Sequence, residues 1–210
     1  MMKIFKSLAI ITAVVAIAGG GTYALWYDTA TLSGVTYSSD SLDLKIDSNS
    51  LSGEQTFVDN FSAPGTFANL KPGDKDNQII DIQKIGGVAG YASIKFVLKS
   101  NDENSLISPE TLMGDTYTPD SIWDGELAQN IKIKISYDPD NDEGVSYTQI
   151  GSEHTLAELH SLGDIKLGKI TSTSGIASVK IEWEIPSDAN NKIMTDSAMF
   201  DVVFGLSDQE

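Results

Sequence analysis

Two histidines and one run of carboxylates are the side chains in this 210-residue sequence that could do chemistry. His154 and His160 lie six positions apart. A zinc-peptidase helix needs two histidines at i and i+4 with a glutamate beside the first. Thr155-Leu156-Ala157-Glu158 reads as a capping box that starts a helix after His154. The two imidazoles then do not share a helix face, and Glu158 serves the helix N-terminus. The sequence has no Gly-x-Ser-x-Gly nucleophile turn, and without cysteine there is no thiol nucleophile.

The carboxylate run is Asp138-Pro139-Asp140-Asn141-Asp142-Glu143-Gly144. Asp138, Asp140 and Asp142 match positions 1, 3 and 5 of an EF-hand loop. Position 6 is Glu143 where the hand requires glycine, position 12 is Gln149, and the flanks read as strands, which excludes a two-helix hand. The run reads first as an acidic, solvated turn between Tyr137 and Val145, with a looser Ca²⁺ site in a hairpin loop as the alternative. No cofactor is required by these residues, and Ca²⁺ is the one they suggest. Of the three tryptophans, Trp183 has the phase of a core residue and Trp26 lies near the N-terminus, so Trp123 is the candidate for ligand contact.

The elements that must position these groups are strands. Leu42, Leu44 and Ile46 alternate with Asp43 and Lys45; Ile131, Ile133, Ile135 and Tyr137 alternate with Lys132, Lys134 and Ser136. Val179, Ile181, Trp183 and Ile185 oppose Lys180, Glu182 and Glu184, and Phe200, Val202, Phe204 and Leu206 close the chain. A period of two with one apolar and one polar face belongs to antiparallel sheets. Shorter signals predict strands over residues 57–61, 79–85 and 91–98, with a Lys71-Pro72-Gly73-Asp74 turn between the first two. Eight or nine such strands in one domain predict an all-β fold, a jelly roll or two-sheet antiparallel sandwich with one or two short helices. Residues 101–129 read as a polar insertion with one short helix opened by Thr118-Pro119. The second helix runs from Thr155 to Leu162, with Leu156 and Leu159 on one face and Gly163 ending it.

Before these elements comes an export pattern. Lys3 and Lys6 precede an apolar run over residues 8–18, then Gly19-Gly20-Gly21 and Thr22-Tyr23-Ala24, with cleavage expected between Ala24 and Leu25. The apolar run is shorter than the roughly 20 residues a membrane span needs, and no later segment is long and apolar enough to span. The organisation expected is a signal peptide over residues 1–24, an N-terminal strand segment over 25–36 and a β domain over 37–210. The mature chain would be extracellular or at the cell surface, with no membrane span. Net charge is −16, and removing Lys3 and Lys6 takes it to −18. Such a chain repels nucleic acid and anionic membranes. Every basic residue is lysine, which disfavours bidentate phosphate recognition. Without cysteine the fold has no disulfide framework and must stand on its core or on neighbours in an assembly.

The segment exposed by cleavage is itself apolar. Leu25 and Tyr27 lie on one side of an extended strand, and Trp26, Ala30 and Leu32 on the other. A sheet-edge partner would supply main-chain hydrogen bonds and pockets for alternate side chains.

An ordered set of landmarks carries a family resemblance. They are Gly19-Gly20-Gly21-Thr22-Tyr23-Ala24, Leu25-Trp26-Tyr27-Asp28-Thr29, Ser41-Leu42-Asp43-Leu44, Asn69-Leu70-Lys71-Pro72-Gly73-Asp74, Thr155-Leu156-Ala157-Glu158-Leu159 and Phe200-Asp201-Val202-Val203-Phe204. In this order the chain resembles the TasA/camelysin family, whose signals are processed by a SipW-type signal peptidase. It departs from the family at Asp40, where glycine is common, and over residues 101–129. The resemblance implies a jelly-roll subunit that polymerises head to tail into biofilm-matrix or cell-surface fibres by donor-strand exchange, and the residues above, lacking a zincin or nucleophile pattern, lead to the expectation that it has no enzymatic activity. Its partners would be other copies of itself, the signal peptidase and other matrix proteins. Alternatives of other classes are a camelysin-like surface metalloendopeptidase and a calcium-dependent monomeric adhesin.

Overall fold

The computed structural model describes residues 27–31, 36–37, 42–47, 57–58, 65–118, 121–141 and 147–209. Its strands form two antiparallel sheets facing each other, an all-β sandwich. The first sheet has the order β11 (Ile165–Lys169), β7 (Tyr91–Asp102), β13 (Ser197–Ser207), β1 (Tyr27–Thr31), β2 (Thr36–Tyr37), and β5 (Gly65–Ala68) also pairs with β13. The second has the order β10 (His154–Thr155), β8 (Lys132–Asp138), β12 (Ile176–Glu184), β6 (Lys75–Ile85), β3 (Asp43–Asp47), β4 (Phe57–Val58), with β9 (Thr148–Gln149) added to β8.

The alternating runs face the core as their period dictates. Ile131, Ile133, Ile135 and Tyr137 are buried, as are Leu42, Leu44, Ile46, Val179, Ile181, Ile185, Phe200, Val202, Phe204 and Leu206. Each large apolar side chain removed from water contributes roughly 1.5–3 kcal/mol, so these facing sets are what join the sheets. Phe67 of β5 stacks on Phe200 of β13 at 5.0 Å and meets Trp183 of β12 edge-on at 5.1 Å. Trp183 is thus half-buried and bridges the sheets. On the polar face of the second sheet, Lys134 and Lys180 both reach Glu182, at 3.1 and 2.9 Å.

The Lys71–Asp74 turn forms as its residues demand: Gly73 takes φ 92°, and Asp74 Oδ2 accepts the Lys71 N–H at 2.8 Å. The strand that follows starts at Lys75, four residues before the apolar run at 79. Full pairing with β12, from Ile176↔Gln83 to Glu184↔Lys75, carries the ladder into its polar end.

The insertion differs from expectation. β7 continues through Asp102, and two short helices follow, α1 (Ser108–Leu112) and α2 (Leu127–Asn130). Pro119 and Asp120, where the expected helix would begin, lie outside the described residues, and Ser121 to Glu126 are not helical. The helix start is Ser108-Pro109-Glu110 instead. Proline sits in the first turn, where its missing N–H costs nothing, and Glu110 Oε2 accepts the Ile107 N–H at 2.7 Å. The second expected helix is α3 (Leu156–Leu162). Thr155 Oγ1 accepts the Glu158 N–H at 3.2 Å and Glu158 Oε2 accepts the Thr155 N–H at 2.8 Å. Leu156 and Leu159 are buried beneath it, and Gly163 ends it at φ 74°.

Candidate functional site

Two places concentrate features that strand packing alone does not require: the outer edge of β13 and a buried group of carboxylates at its base. Along one side β13 pairs with β7 over its whole length, with a register shift between Met199 and Phe200. Its other side is divided between two strands. β5 takes the first part, Ser197↔Ala68 to Phe200↔Gly65, and β1 takes the last, Val203↔Thr31 to Ser207↔Tyr27. β1 then forms a hairpin with β2 through Thr29↔Tyr37 and Ala30↔Thr36. Tyr27 and Ala30 of the expected assembly strand therefore lie in β1, paired within their own chain. Ala24, Leu25, Trp26 and Leu32, including the expected cleavage position, fall outside the described residues.

At the start of β13 the insertion folds over the sheet end. Asn101 organises it: its Nδ2 donates to the Gly125 carbonyl and to Gln129 Oε1, and its Oδ1 accepts the Ala128 N–H at 2.8 Å. Gly125 is packed so closely that a Cβ there would fall 2.8 Å from the Asp102 carbonyl carbon. This close docking brings together five carboxylates distant in sequence: Glu103 after β7, Glu110 in α1, Asp115 after α1, Glu126 before α2, and Asp196 before β13. Glu103, Glu110, Asp115 and Asp196 are buried, Glu110 and Asp196 completely.

Hydrogen bonds from the surrounding chain hold the carboxylates in place. Asp196 Oδ2 accepts the N–H groups of Glu126 and Leu127 at 2.6 and 2.8 Å, capping α2 from another part of the chain. Glu103 Oε1 accepts from Ser105 N–H at 3.2 Å and Thr195 Oγ1 at 2.9 Å. Glu110 uses both oxygens, Oε2 on the Ile107 N–H and Oε1 on the Thr195 N–H at 2.8 Å, and its Oε1 shares the single Thr195 hydroxyl proton with Glu103 Oε1. Asp115 Oδ1 accepts the Thr116 N–H at 2.8 Å and lies 3.9 Å from Lys192 Nζ. The second oxygens of Glu103, Asp115, Glu126 and Asp196 are buried with no hydrogen-bonding partner among the described residues.

The electrostatics follow from this crowding. Burial pushes the Asp196 carboxyl up to about 8, with the facing Glu103 carboxyl adding to the rise. Burial likewise raises Glu126 to about 7, reinforced by Asp115 and opposed by Lys192. Facing carboxyl groups need a proton or a cation between them.

The groups singled out in the sequence are placed elsewhere. His154 is in β10, with Nε2 3.1 Å from Ser152 Oγ and Nδ1 3.6 Å from Glu158. His160 is in α3, and its Nδ1 accepts the Leu98 N–H at 3.3 Å. Among the described residues, no cluster with metal-binding spacing includes a histidine. Asp138 ends β8 and is buried, its Oδ1 accepting the Asp140 and Asn141 N–H groups at 3.3 and 3.2 Å. Its carboxyl is raised by burial and by the neighbouring Asp140 side chain. Asp138 thus closes its own turn, Asp140 is exposed, and Asp142 lies outside the described residues. Trp123 is exposed on the insertion, next to exposed Ile122.

The carboxylate group escaped the sequence reading because its members have no common spacing. The nearest hint was the pair Glu103 and Glu110, flanking a Ser-Pro helix start in a segment read only as polar. Among the described residues no helix is long and apolar enough to cross a membrane. Compared with known families and with curated proteins, the chain matches no family model and no curated protein.

Proposed function

We propose that the mature chain is a secreted structural subunit that polymerises by donor-strand exchange into extracellular biofilm-matrix or cell-surface fibres. One observation carries this proposal. The strand nearest the expected new N-terminus is an add-on at a divided sheet edge, joined to the body through main-chain pairing with Val203 to Ser207. A terminal strand of this kind can leave its own edge and make the same hydrogen bonds to the equivalent edge of another copy. The contact is head to tail and does not close on itself, so it generates filaments. The resemblance of the ordered landmarks to the TasA/camelysin family supports the same role, as does a charge balance unsuited to nucleic acid.

The test is deletion of residues 25–32 from the mature chain. β5 still covers the first part of the β13 edge and the two facing cores are untouched, so the truncated protein is expected to fold. Circular dichroism should report a native β spectrum with a cooperative melt, and negative-stain microscopy should find no filaments. Filaments of normal appearance from the truncated protein would overturn the proposal.

A further inference from the structure

We propose that Glu103, Asp115 and Glu126 form a divalent-cation site of the calcium class, which ties the insertion to the end of β7. The site is independent of the fibre reading and distinct from the Asp138–Asp142 turn.

Its first support is the set of buried oxygens. Glu103 Oε2, Asp115 Oδ2 and Glu126 Oε2 have no hydrogen-bonding partner among the described residues, although Glu103 and Asp115 are more than nine-tenths buried. A buried carboxylate oxygen left this way is costly unless something positive meets it. The other oxygens of Glu103 and Asp115 are each held by N–H or hydroxyl donors. That pattern, with one oxygen tethered from outside and one left facing inward, is how a surrounding shell orients metal ligands.

The second support is spacing. Glu103, Asp115 and Glu126 offer oxygens all within 4.8 Å of one another, and Glu103, Glu110 and Asp196 form a second such triple. Two oxygens on one calcium ion lie at most about 5 Å apart, because each bond is roughly 2.3–2.6 Å long. Magnesium, at about 2.0–2.1 Å, would pull the same oxygens closer and keeps several waters. The donor set is all oxygen, with neither histidine nor cysteine in it, which selects a hard cation over zinc or copper. Calcium takes about 6–8 oxygens, so water completes the set.

The third support is charge. One lysine, Lys192, stands 3.9 Å from Asp115, and one ammonium does not balance this many buried carboxylates.

The experiment strips the full mature chain with chelator at neutral pH and titrates it with CaCl₂, reading heat of binding and melting temperature. The expected result is one saturable site and a melting temperature that climbs with calcium as linkage requires. Glu126→Gln keeps the side-chain shape and removes one inward charge. It should fold as well as the metal-free parent and weaken calcium binding at least about tenfold, the scale on which even outer-shell partners matter. Asp140→Asn, at the other acidic turn, should bind calcium like the parent. No binding and no thermal shift at several millimolar calcium, above the roughly 10⁻⁴–10⁻³ M used by extracellular modules, would overturn the proposal. So would an unchanged calcium response in Glu126→Gln, or its loss in Asp140→Asn.

Discussion

Thr155 shows how much local chemistry a single side chain can specify. Its hydroxyl takes the Glu158 N–H while Glu158 returns to the Thr155 N–H, so one pair of residues satisfies both donors and starts α3. The four-residue pattern and the closing Gly163 were sufficient to read this helix in advance. Thr155→Ala should lower stability by about 1 kcal/mol, the usual loss for an N-cap, measured as a shift in the urea midpoint without a change in slope. Asp196 is the opposite case. It caps α2 through the N–H groups of Glu126 and Leu127, some seventy residues away in the chain, and no short pattern announces such a contact. Tertiary capping and buried carboxylates are invisible to spacing because the distance that matters is set by folding.

At the level of elements, period-two alternation was a dependable guide wherever one face is dry and the other wet. The β8, β12 and β13 runs have the faces that Ile133, Ile181 and Phe204 imply, and Gly73 turns the chain where Pro72-Gly73 said it would. The insertion was harder. Thr118-Pro119 and Ser108-Pro109 are both plausible helix starts, and only the second has a glutamate placed to reach back to the preceding N–H. The order of the strands could not be read either, because alternation reveals a strand's two faces and not its neighbours. β1 and β5 illustrate this. They are far apart in sequence and yet share one edge of β13, each holding only four or five positions of it.

For the whole molecule, charge and edge oppose one another. Fourteen lysines against thirty carboxylates leave a net charge of −16, so copies repel before any strand can be exchanged. Salt shortens the reach of that repulsion from about 10 Å at 0.1 M to about 3 Å at 1 M. Filament growth, followed by light scattering, should therefore accelerate with added NaCl and at mildly acidic pH, where carboxylates take up protons; slower growth under screening would count against assembly limited by repulsion. The most direct measurement uses the absence of native cysteine. Thr31 faces Val203 across the β1–β13 pair, and directly opposed residues in antiparallel strands lie about 4.5–5.5 Å apart at Cα, within the reach of a disulfide. Filaments assembled from the Thr31→Cys, Val203→Cys double variant, oxidised and run on a denaturing gel without reductant, should give a ladder of covalent multimers. A single monomer band with both thiols consumed would mean that each strand stays on its own subunit, and would contradict donor-strand exchange.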